Sequence, residues 1–310
     1  MKVQSVKSFS HPLDEAAEWK AEEFRPLRDH KVKIELDDGS VIESGIFEII
    51  TNGKSEVHAC ISTQAGCKFG CHFCSSGRNG FQRNLSHHEI LQEISTLAEI
   101  GGRRAFDRVM YMGIGEPLDN FDNVVESITQ LLDRFPSYHQ NISLATIGII
   151  PRLKELALLR LPLRMIWVSL HAAFDEKRSK IMPIGKSSKI KEVVSAANSF
   201  AKMSATGTWI NYMILRDFND QKEDAVMLAD LLSGTEDSLS IMITTPNGAV
   251  PGYTSGTKQD VYRFQKLLVQ EGVQNRTVRF FAVGQPVNAC CGEFIFCPAE
   301  NLKVRKRVYK

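Results

Sequence analysis

The sequence lacks any apolar run long enough to cross a membrane, and it has no low-complexity stretch, fixed-period repeat or long linker. Its 310 residues include only seven cysteines, an odd count, and nothing resembles a signal peptide, which disfavours a disulfide framework. We therefore expect a reducing, cytoplasmic location and no membrane partner. The aromatic stacking platforms and the basic surface typical of RNA-binding modules are not conspicuous. A net charge of +2 neither implies nor excludes nucleic acid.

The hydrophobic pattern predicts an α/β protein of one large domain or two modest ones. Residues 1–29 are polar and partly helical in pattern, with a short amphipathic helix at 15–24. Alternating runs on both sides of Asp38-Gly39 predict a β-hairpin. Strands are expected at 57–62, 108–112, 141–146, 164–170, 208–214, 239–243 and 277–281, and helices at 86–100, 122–134, 151–159, 189–203, 221–232 and 258–270. Repeated βα units imply a parallel sheet that curls into a barrel or an open partial barrel.

Three cysteines at Cys67, Cys71 and Cys74 carry the strongest chemical signal. Their spacing fits a loop that wraps one face of a [4Fe–4S] cluster and leaves one iron without a protein ligand. Soft thiolates select iron–sulfur clusters, zinc or Cu(I) over hard cations. Structural zinc is the alternative, but it prefers four closed ligands, and the nearby His72 lies inside the run, where it is badly placed as a fourth.

Other polar residues follow the ends of the predicted strands, where barrel enzymes place their chemistry. The turn Gly113–Pro117, with the sequence GIGEP, follows the second strand, His171 follows the fourth and Asn247 follows the sixth. Glycines let a backbone approach a ligand closely, and Glu116 could accept hydrogen bonds from an ammonium group. The alternatives are a tight turn with a solvated glutamate and a histidine satisfied within the core.

Four motifs together carry a resemblance to a known family. QAGCKFGCHFCSSGRNGFQRNLSHHEI, YMGIGEPLDNFDNV, VSLHA and NACCGEF resemble the class A radical S-adenosylmethionine (SAM) methylases, the RlmN and Cfr enzymes that methylate an adenine ring carbon in RNA. The similarity runs from about residue 30 to the C-terminus. It implies a partial (β/α)6 TIM-type barrel, the radical SAM core, over 55–310 with a C-terminal catalytic-cysteine segment, preceded by a helix and β-hairpin extension over 1–54.

The resemblance also implies the site residues and cofactors. Cys67, Cys71 and Cys74 would hold a [4Fe–4S] cluster, and Gly113, Gly115, Glu116, Ser169, His171 and Asn247 would line the SAM site. Cys291 matches the methyl-carrying cysteine, Cys60 the second catalytic cysteine and Glu43 the proposed base. Three alternatives stay open: Cys60 as a buried core cysteine, Cys290 in the place of Cys291, and Glu43 as a solvated residue of an exposed-looking hairpin.

The chemistry implied by the resemblance explains why two cysteines are needed. An sp² ring carbon has no lone pair to attack a methylsulfonium, so ordinary polar transfer fails. Cys291 would first take a methyl group from one SAM. Radical chemistry with a second SAM would then join that carbon to the ring, and Glu43 would remove the ring proton. Cys60 would attack the Cys291 sulfur and release the product, leaving a disulfide that must be reduced.

The sequence departs from the family where a substrate would bind. We expect the chain to lack the N-terminal helical RNA-binding domain, and ATIG (145–148), TTPNGAVPG (244–252) and GQPVNAC (284–290) differ from the family pattern. The leading substrate is adenine in ribosomal or transfer RNA, and an adenine-containing small molecule or a natural-product intermediate is the alternative. A radical SAM activase or maturase without methyl transfer, and a non-enzymatic metal-stabilised RNA-binding module, are further alternatives. A one-electron reductase of the flavodoxin or ferredoxin type is the expected partner.

Overall fold

The computed structural model describes residues 1–11, 25–51, 53–102, 106–204, 206–248, 250–273, 277–280, 287, 292–295 and 297. The chain divides into two compact units. The first unit comprises Met1–Lys68, Cys74–Ser143 and Val283–Lys310, and the second comprises Phe69–Phe73 and Leu144–Ala282. The helix predicted at 15–24 lies outside the described residues, and the predicted division into 1–54 and 55–310 stays a prediction.

The first unit begins with a run of antiparallel strands. β1 (Lys2–Ser10), β2 (Arg25–Glu35), β3 (Val41–Thr51) and β4 (Lys54–Ile61) pair in that order. The hairpin predicted around Asp38-Gly39 is confirmed as the β2–β3 pair. The sequence analysis missed β1, all nine residues of which are exposed. An edge strand without a buried face shows no apolar alternation in its sequence.

The first unit continues as alternating strands and helices, namely β5 (Gln64–Gly66), β6 (Phe81–Asn84), α1 (His87–Ile100), β7 (Arg108–Tyr111) and α2 (Phe121–Arg134). β7 pairs with β4 in parallel. α1 begins where expected because Ser86 and Glu89 form a capping box that satisfies the first backbone N–H groups.

The chain from residue 142 adds β8 (Ile142–Thr146), α3 (Ile150–Leu159), β9 (Met165–Ser169), α4 (Asp175–Ile181), α5 (Ile190–Ser204), β10 (Gly207–Met213), β11 (Leu215–Arg216), α6 (Lys222–Leu232), β12 (Leu239–Thr244), β13 (Thr254–Ser255), α7 (Lys258–Gln270) and β14 (Thr277–Phe280). Strands β9, β10, β12 and β14 are parallel neighbours in that order. The predicted alternation of strands and helices around parallel strands is confirmed. Among the described helices, none combines the length and the apolar character needed to span a membrane.

A buried carboxyl group, Glu93 on α1, lies in the core of the first unit and is 0% exposed. Its Oε1 accepts hydrogen bonds from Ser44 Oγ at 2.6 Å and from the Ser62 backbone N–H at 2.9 Å. Oε2 has no hydrogen-bond partner within the described residues. Burial raises the pKa of Glu93 to about 8, so the folded protein holds this carboxyl in its neutral form at neutral pH.

We predict that Glu93→Gln stabilises the protein increasingly as the pH rises from about 4.5 to about 8. Over that range the unfolded carboxyl is ionised while the folded one keeps its proton, so the native state loses stability with rising pH. Each pKa unit corresponds to about 1.4 kcal/mol, which sets the gain above pH 8 at a few kcal/mol. The stability gain of Glu93→Gln over the wild type is measured from urea unfolding midpoints at pH 4.5, 6 and 8. The control is Glu99→Gln, which changes an exposed residue on the same helix. A gain that does not change with pH would contradict the assignment.

Candidate functional site

The loop with the three predicted cluster ligands begins at the end of β5. Cys67, Cys71 and Cys74 are each half-buried, and none of them is in a disulfide. Gly66, just before Cys67, has a φ of +85°, and a Cβ there would collide with the backbone oxygen of Gly80. The Cys67 N–H donates to that same oxygen at 3.1 Å. Only glycine allows the backbone to turn this tightly, so the start of the loop is fixed in place.

The middle of the loop belongs to the second unit and contacts α4 and the end of β9. The His72 backbone N–H donates to the carbonyl of Ile181, the last residue of α4, at 2.9 Å. The Phe73 ring meets the His171 ring edge-on, with 4.8 Å between centroids. Cys71 packs against the apolar cluster that includes Met182. The two residues that follow Cys71 are therefore held by a backbone contact and a ring contact.

Arg178 of α4 is a buried cation beside this loop, with 0% of the residue exposed. Its guanidinium donates to the backbone oxygens of Ile147 at 2.8 Å and Ser188 at 3.2 Å, and Nε has no partner within the described residues. Burial lowers the pKa of Arg178 to about 10, against the opposing effect of the nearby Cys71 thiolate. The sequence analysis missed this residue, because the seven-residue α4 is too short to show a clear helical period.

The donor chemistry of the loop fits a [4Fe–4S] cluster. It offers three partly buried thiols, the soft ligands that such clusters take, and a buried guanidinium that offsets thiolate charge beside Cys71. Nowhere in the described part of the chain are three or more His, Cys, Asp or Glu side chains arranged to hold a single metal ion.

The GIGEP turn packs against the end of β4. The Gly113 N–H donates to the Ile61 carbonyl at 2.8 Å, and the Glu116 N–H donates to Gln64 Oε1 at 2.9 Å. Gly115 has a φ of +105°, and a Cβ there would lie 2.6 Å from Gln64 Cβ. Glu116 is 3% exposed and its Oε1 accepts the Leu118 N–H at 3.0 Å. The alternative of a solvated glutamate in this turn was wrong, because Glu116 is buried.

His171 is buried at the end of β9 in a left-handed backbone conformation, with a φ of +59°. Its Nδ1 accepts the Met213 backbone N–H at 3.1 Å. Burial, with a further contribution from Arg178, lowers the pKa of His171 to about 3, so the imidazole is neutral. Non-glycine residues with this φ are uncommon and concentrate at functional sites. The Met213 hydrogen bond also suits the core alternative, and the role toward SAM stays a prediction.

Two further predicted SAM residues lie at strand ends of the second unit. Ser169 ends β9 and pairs in register with Asn211 of β10. Asn247 is half-buried in the turn that follows β12. Asn211 Oδ1 is buried and has no hydrogen-bond partner within the described residues, which suits a ligand with N–H or O–H donors such as SAM. The sequence analysis missed Asn211, although a polar residue inside the apolar run WINYMI could have indicated a functional position.

Glu43 and Cys60, the predicted base and second catalytic cysteine, are both buried in the first unit. Glu43 pairs with Lys31 at 2.6 Å and Lys33 at 3.4 Å, and its Oε2 accepts the Ile295 N–H at 2.8 Å. The alternative of a solvated Glu43 was wrong, because β3 lies between β2 and β4 and Ile295 contacts its carboxylate. The roles of both residues stay predictions.

Residues 292–295 near the C-terminus lie against the turn that follows Cys74. The Ser75 N–H donates to the Gly292 carbonyl at 2.6 Å, and Ser76 Oγ donates to the Phe294 carbonyl at 3.1 Å. A Cβ on Gly45 would lie 3.1 Å from the Phe294 ring.

Gly45 is also the ladder partner of Cys60. Cys290 and Cys291 lie outside the described residues, but Gly292 directly follows Cys291 in the sequence. The structure therefore brings the neighbour of the predicted methyl carrier next to the neighbour of a predicted cluster ligand, and both of these neighbours belong to the first unit.

Comparison with known proteins agrees with this geometry. The Radical SAM superfamily profile matches residues 61–232. A protein of Dictyoglomus turgidum named "Probable dual-specificity RNA methyltransferase RlmN" is 36% identical over 267 residues, which cover 85% of this chain and 74% of that protein. A protein of the same name from Clostridioides difficile is 32% identical over 262 residues, which cover 83% of this chain and 73% of that protein.

The crystal structure of a radical SAM methyltransferase from Sphaerobacter thermophilus superposes with a TM-score of 0.75 at 24% identity, over 92% of this chain and 86% of that one. The fold and the cysteine loop thus define a radical SAM protein, which confirms the predicted fold class. Within that superfamily the chain belongs to the RlmN family of radical SAM methyltransferases, and the predicted family is confirmed. Membership implies a [4Fe–4S] cluster and SAM as cofactors.

We predict that Glu43→Gln destabilises the folded protein by about 3 kcal/mol, because it removes the negative charge that lies 2.6 Å from the buried Lys31 ammonium. The amide oxygen of glutamine can still accept the Ile295 N–H. Urea unfolding at neutral pH measures the change, and Glu48→Gln on the same strand is the matched control. Equal midpoints for both variants would show that the Lys31 pair contributes nothing to stability.

Proposed function

We propose that this protein methylates an sp² carbon, an adenine ring carbon of RNA, through a methylcysteine at Cys291. When bound, the cluster and SAM supply the methyl group and the radical that an unreactive ring carbon requires. Cys67, Cys71 and Cys74 would hold the cluster, and Cys291, Cys60 and Glu43 would act on the substrate. SAM would be positioned by Gly113, Gly115 and Glu116 of the GIGEP turn, and by Ser169, His171 and Asn247 elsewhere in the chain.

One observation carries this proposal: the hydrogen bond between the Ser75 N–H and the Gly292 carbonyl at 2.6 Å. It joins the residue after a predicted cluster ligand to the residue after the predicted methyl carrier. A radical made beside the cluster must reach the methyl group before water or another side chain quenches it, so the two sites have to be neighbours.

The surroundings of Glu43 support its role as the base. Lys31, Lys33 and the Ile295 N–H hold its two oxygens, so the carboxylate has a fixed orientation. A base must lie within hydrogen-bond reach of the proton that it removes. Ile295 follows Cys291 by only four positions in the sequence, so its contact with Glu43 supports a place for the base near the predicted methyl carrier.

The relatives support RNA as the substrate, since the curated proteins at 36% and 32% identity are named as RNA methyltransferases. A small adenine-containing molecule is the alternative, because the sequence departs from the family at ATIG, at TTPNGAVPG and at GQPVNAC. Anaerobic incubation with SAM and total RNA, followed by nucleoside mass spectrometry, tests this. A methylated adenosine supports RNA, and its absence while SAM is still cleaved favours the small molecule.

We predict that Cys71→Ala abolishes cluster absorbance and reductive SAM cleavage, because two remaining thiolates do not hold a cubane. The wild type, reconstituted anaerobically, should bind about four irons per chain. Cys297→Ala is the matched control, because Cys297 is also a half-buried thiol of the described chain and has no predicted role. Retained SAM cleavage in Cys71→Ala would refute the ligand assignment, and stoichiometric zinc without iron would support the non-enzymatic module.

We predict that Cys60→Ala still carries a methyl group on the peptide containing Cys291 but stalls with substrate attached. No thiolate is then available to attack the Cys291 sulfur. Peptide mass spectrometry places the methyl group and identifies the attached molecule. Methylation of Cys290 would move the carrier by one residue, methylation of neither would favour the activase alternative, and wild-type turnover would make Cys60 a core cysteine.

A further inference from the structure

A strongly basic segment lies at the end of α4 and the start of α5. Between residues 177 and 191 the sequence contains no Asp, Glu or aromatic residue, and it contains six cations: Lys177, Arg178, Lys180, Lys186, Lys189 and Lys191. Acidic residues flank it at Asp175, Glu176 and Glu192. Such a concentration of one sign exceeds what the chain's net charge of +2 suggests.

Half of these cations already have local roles. Lys177 pairs with Asp224 at 2.6 Å, Lys189 lies 3.7 Å from Asp175, and Arg178 is buried. The other three, Lys180, Lys186 and Lys191, are exposed and form no ion pair within the described part of the chain. We call these three residues the lysine face.

The backbone gathers the lysine face on a compact piece of structure. The short 3-10 turn Pro183–Lys186 folds back on α4 so closely that a Cβ on Gly185 would lie 2.8 Å from the Ser179 nitrogen. The Arg178 guanidinium donates to the Ser188 carbonyl at 3.2 Å and ties the start of α5 to α4. The three lysines therefore lie on backbone segments of the second unit that contact one another.

This corner adjoins the cysteine loop. The Ile181 carbonyl, one residue after Lys180, accepts the His72 N–H at 2.9 Å. Cys71 lies near Arg178 and packs against the group of apolar side chains that includes Ile181 and Met182. An electron donor docked on the lysine face would thus rest beside a loop that holds a predicted cluster ligand.

We propose that the lysine face is the docking surface for an acidic one-electron donor, a small flavoprotein of the flavodoxin type. The inference rests on the proposed function, because that reaction consumes an electron that the chain does not supply. In the step, a flavin hydroquinone gives one electron to the oxidised cluster and becomes the semiquinone. Electron transfer slows steeply with distance, so the donor must dock close to the cysteine loop.

Charge complementarity favours a protein donor over RNA at this surface. An acidic donor is steered by a cluster of unpaired lysines, which raises its association rate at low ionic strength. RNA recognition adds stacking aromatics to basic charge, and the segment between residues 177 and 191 has none.

The test reverses the charge of the face in the variant Lys180→Glu/Lys186→Glu/Lys191→Glu. The matched control reverses three exposed lysines on α5, α6 and α7 of the same unit, Lys202→Glu/Lys222→Glu/Lys266→Glu. Affinity for oxidised flavodoxin is measured by flavin fluorescence. The rate of cluster reduction by flavodoxin hydroquinone is measured by stopped-flow absorbance, with dithionite as a small reductant that needs no docking surface.

We expect the variant to bind flavodoxin at least about tenfold more weakly and to be reduced more slowly by the same factor at low salt. The control should match the wild type, and reduction by dithionite should be equal in all three proteins. The difference should disappear near 1 M salt, where the screening length falls to about 3 Å.

Unchanged flavodoxin affinity in the variant, or an equal loss in the control, would overturn the inference. A fall in RNA affinity as large as the fall in flavodoxin affinity would also overturn it and make the face an RNA contact. If the triple variant fails to fold, Lys180→Gln/Lys186→Gln/Lys191→Gln replaces it with the same expected direction. Failure of the proposed function would look different, because the wild type would then form no methylated adenosine even with dithionite, while the variant and the control would still differ in their affinity for flavodoxin.

Discussion

Three hydrogen bonds hold residues 292–295 to parts of the chain far away in sequence, and the proposed chemistry depends on them. Ser75 N–H binds the Gly292 carbonyl, Ser76 Oγ binds the Phe294 carbonyl, and Ile295 N–H binds Glu43. The last two link residues 218 and 252 positions apart, so they close very long loops. The placement of Gly292 beside the end of the cysteine loop thus depends on contacts that are very distant in sequence.

Three of the ionisable groups that are buried among the described residues avoid the cost of burial in different ways. Glu43 is ion-paired, with Lys31 at 2.6 Å. Glu93 is neutral, because burial raises its pKa to about 8. Arg178 is solvated by backbone carbonyls and lies near the Cys71 thiolate. A buried ion pair contributes little net stability, but losing one partner is costly, so these groups fix geometry more than they stabilise the fold.

The regular part of the fold could be predicted from the sequence, because long amphipathic helices and buried strands impose their period on the chain. The predicted helix 258–270 coincides with α7, and the hairpin around Asp38-Gly39 follows from turn chemistry alone. β1 and α4 were missed for opposite reasons, since β1 buries no face and α4 has only seven residues. The helical period of the sequence therefore gives no indication that Arg178 is buried. The surroundings of Glu43 could not be predicted, because Ile295, which contacts its carboxylate, is 252 residues away in the sequence.

Net charge is a poor guide to what a surface of this protein attracts. The net charge of +2 is a sum over the whole chain, in which acidic residues elsewhere offset the charges of the lysine face. Screening at physiological salt limits each charge to a range of about 8 Å, so an approaching partner responds to the local group and not to the sum. Lys177 and Lys189 are within 4 Å of carboxylates that offset them, whereas Lys180 extends from the residue just before the Ile181 carbonyl that holds the cysteine loop. The pairing pattern, which only the fold reveals, therefore decides which lysines of the described chain have no carboxylate partner, and one of them, Lys180, adjoins the contact with the cysteine loop.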